Sequence, residues 1–571
     1  MGRIGKRRKS PKEIVGRAVS TCTLRLHSSG VGEAQNQQRP RAWHTGAVQV
    51  RSLYFHYGHS LHPGISVPGS IAMLTFQDHF WRGGRRHRRQ FLQVGALALG
   101  GLNLADTFGV RTAAAGGNGI NPTTGSAGSS GAGQESVGSR AAGSDRGSPG
   151  NPLKDRSVIF LFMHGGPSQF ETFDPKMDAP SHVRSATGEI PTTLPGITFG
   201  STFQRLAKLA HKFSVVRSFA TGDGNHDIKP ILGVDTLQAN MGSLYSSIAG
   251  PSRPNSAMPT NIALFPRSVE AKAQDVVKEF GNFEGTGELS RSVAPFVPGS
   301  GLDLQQNLRI NLPEGRFHDR QALLNSVDQW RRWMDDQASV QEFGGFQQKA
   351  FELLHRGVFD AFDLSREDPR LIERYDTAPL LPRGRIDPRW KNIEHYATNA
   401  QTLGRQLLLA RRLCERGAGF VTVTTSFIWD MHADVNNAPM TVGMDYVGTP
   451  FDHAVSAFIE DVEARGLSDK ILLVCCGEMG RTPTINKDGG RDHWGNLAPL
   501  LLYGGGLKMG QVIGQSSRDG GEPASQTVTM KDLIATVMHS LMDVGQARLL
   551  PGVSQRVIEA ISRGEPIRGL V

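Results

Sequence analysis

A chain of 571 residues has room for one large domain or several modest ones, and its formal net charge of +10 suggests a basic surface. That excess is local: residues 1–150 carry 19 Lys and Arg against 6 Asp and Glu, leaving 44 against 47 for residues 151–571. The near-neutral remainder gives no argument for a nucleic-acid partner, and four cysteines (Cys22, Cys414, Cys475, Cys476) without CxxC spacing argue against a disulfide framework or a cysteine zinc site.

Residues 1–72 show no sustained periodicity and read as an extension that is disordered or precedes the true start at Met73. Residues 73–115 have the layout of an export signal. Arg85, Arg86, Arg88 and Arg89 precede the apolar run Val94–Leu104, and Ala113, Ala114 and Ala115 offer small residues for cleavage. The run is too short and too rich in Gly to be a stable membrane span. Paired Arg88-Arg89 followed by Phe91-Leu92 resembles a twin-arginine signal, which implies the twin-arginine export machinery as a partner and a periplasmic or otherwise exported destination. That route carries folded proteins, so it suits a domain that takes up a metal before export. Residues 116–153, built largely of Gly, Ala and Ser, read as a flexible linker, and one domain spans 154–571.

The domain opens with Ser157–Met163, an apolar run of the kind buried on both faces of a sheet, with His164 and two glycines at its carboxyl end. Glu171 and Asp174 add carboxylates beyond it. Phe203–Leu209 reads as a short helix and Phe213–Phe219 as a strand, followed by a glycine-broken turn, 220–227. There Ser218 and Thr221 are the candidate nucleophilic hydroxyls, although an ordinary strand-to-helix connection explains the turn as well. Residues 231–350, punctuated by Pro and Gly, read as insertions around the sheet with a helix at Asp319–Trp333. Thr398–Gly417 is a helix with Leu403, Leu407, Ala410 and Cys414 on one face, and Gly419–Phe427 is a β-branched strand.

At the end of that strand, Asp430 and His432 project from the same side if the backbone stays extended, and a carboxylate with an imidazole at that spacing suits a divalent ion. The next helix has Thr449 as cap, Pro450 in its first turn, and Phe451, Ala454, Val455, Phe458, Ile459 and Val462 on its buried face. Asp452 and His453 then fall in its first turn, as polar residues rather than ligands. Lys470–Cys476 is a second buried-type strand, and Glu478, Arg481, Asp492 and His493 follow it in a loop rich in Gly, Pro and Asn. Leu497–Tyr503 supplies another strand and Met530–Leu541 a last helix, with His539 facing solvent or a neighbouring loop. Alternating strands and helices predict a three-layer α/β/α sandwich with a largely parallel sheet. Candidate residues at four strand ends would meet along one rim, where such sheets bind ligands. A solvated loop with a structural Glu–Arg pair is the plainer account of Glu478 and Arg481.

FLFMHGGPSQFETFDPK (160–176), FSVVRSFATGDGNHD (213–227), WDMH (429–432) and GEMGRTPTINKDGGRDHW (477–494) resemble a twin-arginine-exported bacterial family catalogued as a domain of unknown function, of the DUF1501 type. The resemblance implies an alkaline phosphatase-like and sulfatase-like fold, with metal-dependent hydrolysis of phosphate or sulfate esters. By position it implies Asp430 and His432 as a ligand pair, with Glu478, Asp492, His493 and His164 as further metal-binding positions. His164 stands where the superfamily carries an Asp, and Met479 where it carries a His. The turn after Phe219 lacks the Cys/Ser-x-Pro-x-Arg pattern of formylglycine sulfatases. The implied cofactor is Zn, Mn or Ca; the implied substrate is an anionic ester, including esters of a saccharide, with Arg481 neutralising the transferred or leaving anion. The alternative is a catalytically inactive binding or structural protein of the cell envelope on the same fold.

Overall fold

The computed structural model describes residues 151–299 and 358–571. The expected extension, export signal, nearly all of the linker and the helix at Asp319–Trp333 lie outside the described residues.

Seven strands form the central sheet: β1 (Ser157–Phe162), β2 (Ser214–Val216), β3 (Asn261–Leu264), β4 (Phe420–Thr424), β5 (Ile471–Cys476), β6 (Leu500–Gly504) and β7 (Val512–Ile513). Their order across the sheet is β7-β2-β6-β5-β1-β4-β3. β1 lies inside the sheet, parallel to both neighbours, with Leu161 opposite Val423 on one side and Cys475 on the other. Among the described strands, β6 alone runs against the rest, antiparallel to β5 and β2. Its apolar run carries no sign of this, because strand direction leaves no mark on a sequence buried on both faces.

Alternation along the strands sorts side chains between two cores. Ile159 and Leu161 of β1 join one cluster, whereas Val158, Phe160 and Phe162 join the other. The first cluster is closed by α2 (Ile393–Glu415) and α3 (Met440–Ala464), the second by α1 (Met241–Ala249), α4 (Met530–Leu541) and α5 (Gln555–Ser562). The result is the expected three-layer sandwich.

The differences from expectation have local causes. α1 and the edge strand β3 lie inside the stretch read as insertions; a four-residue strand between prolines is too short to show a period. α3 begins nine residues before Thr449, so Thr449 caps nothing and Pro450 lies inside the helix. Burial of Met440, Met444 and Val447 in the first core offsets the hydrogen bond that Pro450 removes. Asp452 and His453 are therefore mid-helix. Asp452 is buried and accepts from the backbone N–H groups of Arg205 and Leu206 at 2.9 and 2.8 Å; burial, opposed by those amides, pushes its carboxyl up to about 6. His453 Nε2 lies 2.8 Å from the Arg374 carbonyl. The segment expected to be helical at Phe203–Leu209 is a 3-10 helix at Leu206–Lys212, and β2 keeps three of the seven residues expected of it. His539 is half-buried. No helix among the described residues is long and apolar enough to cross a membrane.

Candidate metal centre

The carboxyl ends of β1, β2, β4 and β5 open on one edge of the sheet. Because β6 is reversed, the loop that precedes it reaches the same edge. Two glycines let the segments close on one another. A Cβ at Gly165 would stand 2.6 Å from the Asp430 backbone nitrogen, and one at Gly490 would stand 2.1 Å from the His432 carbonyl carbon. Trp429 and Ile428 donate backbone hydrogen bonds to the His164 carbonyl, and Arg491 donates to that of Met431. A two-stranded hairpin pairs Arg481 with His493.

Within this rim His226, Asp430, His432 and His493 each offer one ligand atom, all within 4.8 Å of one another. The Asp430 Oδ1 atom lies 2.9 Å from His432 Nε2, 3.3 Å from His493 Nε2 and 3.4 Å from His226 Nε2. His432 Nε2 and His493 Nε2 are 2.7 Å apart. Ligands each about 2.1 Å from a tetrahedral ion stand roughly 3.4 Å apart, so to hold one the closest pair, at 2.7 Å, has to open and the widest separation, up to 4.8 Å, has to close. The backbone from 429 to 432 is not extended: His432 N–H bonds to the Asp430 carbonyl, and a tight turn rather than a strand brings the two side chains together.

Glu478 and Asp492 stand behind the imidazoles. A carboxylate only accepts, so His226 Nδ1–H donates to Glu478 Oε1 at 3.0 Å and His432 Nδ1–H donates to Asp492 Oδ1 at 3.1 Å. Both contacts hold a proton on Nδ1, so that Nε2, which donates to Asp430 while protonated, becomes a ligand atom once that second proton leaves. Glu478 is fully buried; its Oε1 also accepts from Gly165 N–H at 2.8 Å, and its Oε2 has no hydrogen-bond partner. Burial alone would raise the Asp430 carboxyl. The Arg481 guanidinium and hydrogen bonds from His226, His432 and His493 reverse that and hold it well below the usual carboxylate range. Burial lowers both His226 and His493; the carboxylates beside His226 overturn this and raise it, whereas His493 stays lowered, with Arg481 adding to the effect.

Arg481 is fully buried rather than open to a substrate. Its Nη2 donates to Asp430 Oδ1 at 2.7 Å and to the Gly165 carbonyl, its Nε to the Gly166 carbonyl at 2.7 Å, and its Nη1 to the Arg491 carbonyl at 3.1 Å. These engagements leave it holding Asp430 in place. Arg491 is likewise buried; it donates to Glu171 and lies 4.2 Å over the Phe170 ring, tying the loop that carries His493 to the segment after β1. Asp174 pairs with Arg217 and Lys176.

The structure places the other anticipated residues elsewhere. His164 lies among Phe162, Phe280, Phe283 and Phe427; neither ring nitrogen has a hydrogen-bond partner, and burial pushes it down to about 4, so it is neutral in the core. The Ser218 hydroxyl is buried without a partner, lining a cavity of about 320 Å³ with Gly514, Ser525 and Thr527. The Thr221 hydroxyl donates to the Gly495 carbonyl at 3.4 Å. Among the described residues no hydroxyl hydrogen-bonds to the four clustered groups. His226 is the one member of the cluster not anticipated from the sequence: it lies in the turn after β2, close to the candidate hydroxyls Ser218 and Thr221, and its position between Asn225 and Asp227 is the available signal.

A family model described as a protein of unknown function (DUF1501) matches residues 155–571. No curated protein matches the sequence. Among solved structures, the PsFucS1 sulfatase from Pseudoalteromonas sp. is similar over 73% of this chain and 74% of its own at 13% identity and a TM-score of 0.30. The phosphonate monoester hydrolase SpPMH from Silicibacter pomeroyi overlaps 72% of this chain and 76% of its own at 10% identity and 0.31. The lipoteichoic acid synthase LtaP from Listeria monocytogenes overlaps 71% and 76% at 8% and 0.28. Likeness at that level carries no argument about chemistry, which rests on the residues of the rim alone.

Proposed function

As the chain belongs to the DUF1501 family of proteins of unknown function, we propose that it is an exported, metal-dependent hydrolase of phosphate or sulfate esters with an alkaline phosphatase-like site. One observation carries this reading: three imidazoles from separate segments converge on a single carboxylate oxygen, His226, His432 and His493 upon Asp430. Surface polar residues have no reason to converge so, and the buried Oε2 of Glu478 behind His226 is an acceptor left without a hydrogen-bond partner.

The four clustered groups would hold the ion, and a set of three nitrogens and one oxygen favours Zn or Mn over Ca, which prefers oxygen ligands. When bound, such an ion supplies Lewis-acid polarisation of an ester oxygen. Glu478 and Asp492 keep the protons of His226 and His432 on Nδ1, so that each Nε2 is free as a ligand. Arg481 keeps Asp430 ionised. Phe280 and Phe427, whose rings lie 5.0 and 4.8 Å from that of His226, shield one side of the centre from water. The paired Arg88-Arg89 and the apolar run after it support export by the twin-arginine route.

A second reading, a metal-binding envelope protein without turnover, is favoured by two features: Arg481 is buried, and neither Ser218 nor Thr221 offers a hydroxyl to the cluster. Assays on zinc- and manganese-reconstituted protein with aryl phosphates, phosphodiesters and aryl sulfates separate the two. Turnover that disappears with His432→Ala supports the hydrolase; metal uptake with no ester cleaved supports the binder.

A further inference from the structure

The turn that carries His226 has an unusual interior. Its sequence, Asp223-Gly224-Asn225-His226-Asp227, puts oxygen donors at every second residue, the spacing with which loops wrap a calcium ion. Here the position of such an ion is taken by the chain itself. The Lys229 ammonium donates to Asp223 Oδ1 at 2.8 Å, to Asp227 Oδ1 at 2.7 Å and to the Asn225 carbonyl at 3.4 Å. The lysine is only 7% exposed, although both carboxylates are about half open to solvent. A lysine is seldom that buried unless it is held by partners.

His226 sits between two of the three residues gripped by this ammonium. No helix or strand holds the turn. Its ends are tied instead by Thr221 and Gly222, whose N–H groups both donate to the Gly495 carbonyl at 3.0 Å, and by Asn225 N–H, which donates to Asp223 Oδ1 at 2.8 Å. Gly224 lies directly against His493: a Cβ there would meet that of His493 at 3.0 Å. Two clustered imidazoles are thus placed by one turn, and without a cation inside it the Asp223 and Asp227 carboxylates would repel each other and splay the loop.

We propose that Lys229 is a built-in substitute for a loop cation and a positioning residue for the metal centre, setting where His226 stands. The inference rests on the metal-binding reading above and adds a role remote from the ligands themselves. It also accounts for a motif of the calcium-loop type in a turn whose interior is already filled.

Zinc titration of the full chain tests this, with wild type, Lys229→Ala, Lys229→Arg and His226→Ala compared and circular dichroism as the check on folding. Wild type is expected to bind zinc, Lys229→Ala to bind it about tenfold or more weakly, and Lys229→Arg to stay close to wild type. Millimolar calcium, which fits the vacated loop, is expected to restore the affinity of Lys229→Ala but not that of His226→Ala. Unchanged zinc affinity in Lys229→Ala, or a loss shared by Lys229→Arg and indifferent to calcium, would overturn the proposal while leaving the metal centre standing. If wild type takes up no zinc, the metal reading fails and this inference falls with it.

Discussion

Replacing Arg481 by Met asks whether this residue holds the site together or handles substrate. The substitution keeps most of the side-chain volume and removes a guanidinium that is fully buried. It strips Asp430 Oδ1 of its cationic partner at 2.7 Å and removes donors from the carbonyls of Gly165, Gly166 and Arg491. Breaking one side of a buried ion pair costs about 3–5 kcal/mol. Adding a full penalty of about 1–3 kcal/mol for each carbonyl would exceed that range, but the loosened rim lies beside half-buried His432 and His493 and can admit water, so the lower range applies. Urea unfolding in the presence of a chelator is the assay, and a loss of about 3–5 kcal/mol is expected. Zinc should narrow the deficit, because an ion beside Asp430 neutralises the carboxylate that the arginine abandoned. A stability change below about 1 kcal/mol, combined with lost turnover, would refute the argument and return Arg481 to the substrate-binding role its sequence position suggested.

Other consequences can be checked separately. Glu478→Gln preserves the shape beside His226 and Gly165 but removes the charge, and should weaken zinc binding about tenfold; equal affinity by isothermal titration would mean that the carboxylate does not tune the imidazole. Arg491→Met breaks the buried pair with Glu171 and should cost about 3–5 kcal/mol in urea unfolding, a value that Glu171→Gln alone should not exceed. Asp452 has a folded pKa of about 6 against an ordinary 3.8, so the folded state holds more protons between those values and the aspartate's contribution to stability declines as pH rises from about 4 to about 6. The stability difference between wild type and Asp452→Asn should therefore shift against wild type by up to about 3 kcal/mol across that window; a flat difference would rule the titration out.

The parts of this fold that were legible in sequence are those where a single physical demand acts on consecutive residues. β1 and β5 announce themselves because strands covered on both faces need unbroken apolar runs, and α4 ends where its pattern ends. β3 and the first turns of α3 stayed hidden. The former is only Asn261–Leu264; the latter carry Gly443, Gly448 and Pro450, whose poor helix propensity is overridden by packing. Asp430 and His432 could be paired by their closeness in sequence, although a tight turn and not the extended backbone expected of them makes the pair, and the shared rim follows from strand order. The layering of the centre could not be read: Glu478 and Asp492 act behind imidazoles that come from other segments, His226 lies 204 residues from Asp430, and the partner of Arg491 lies 320 residues away. A buried arginine and an exposed one look alike in a string of letters; only the acceptors around Arg481 reveal which it is.

The most direct test is the metal itself. Wild type and the His432→Ala/His493→Ala double variant would be dialysed against zinc, desalted, and their metal content measured by elemental analysis. About one retained equivalent is expected in wild type and none above background in the double variant. Zinc absent from both, or held equally by both, would contradict the metal-binding reading.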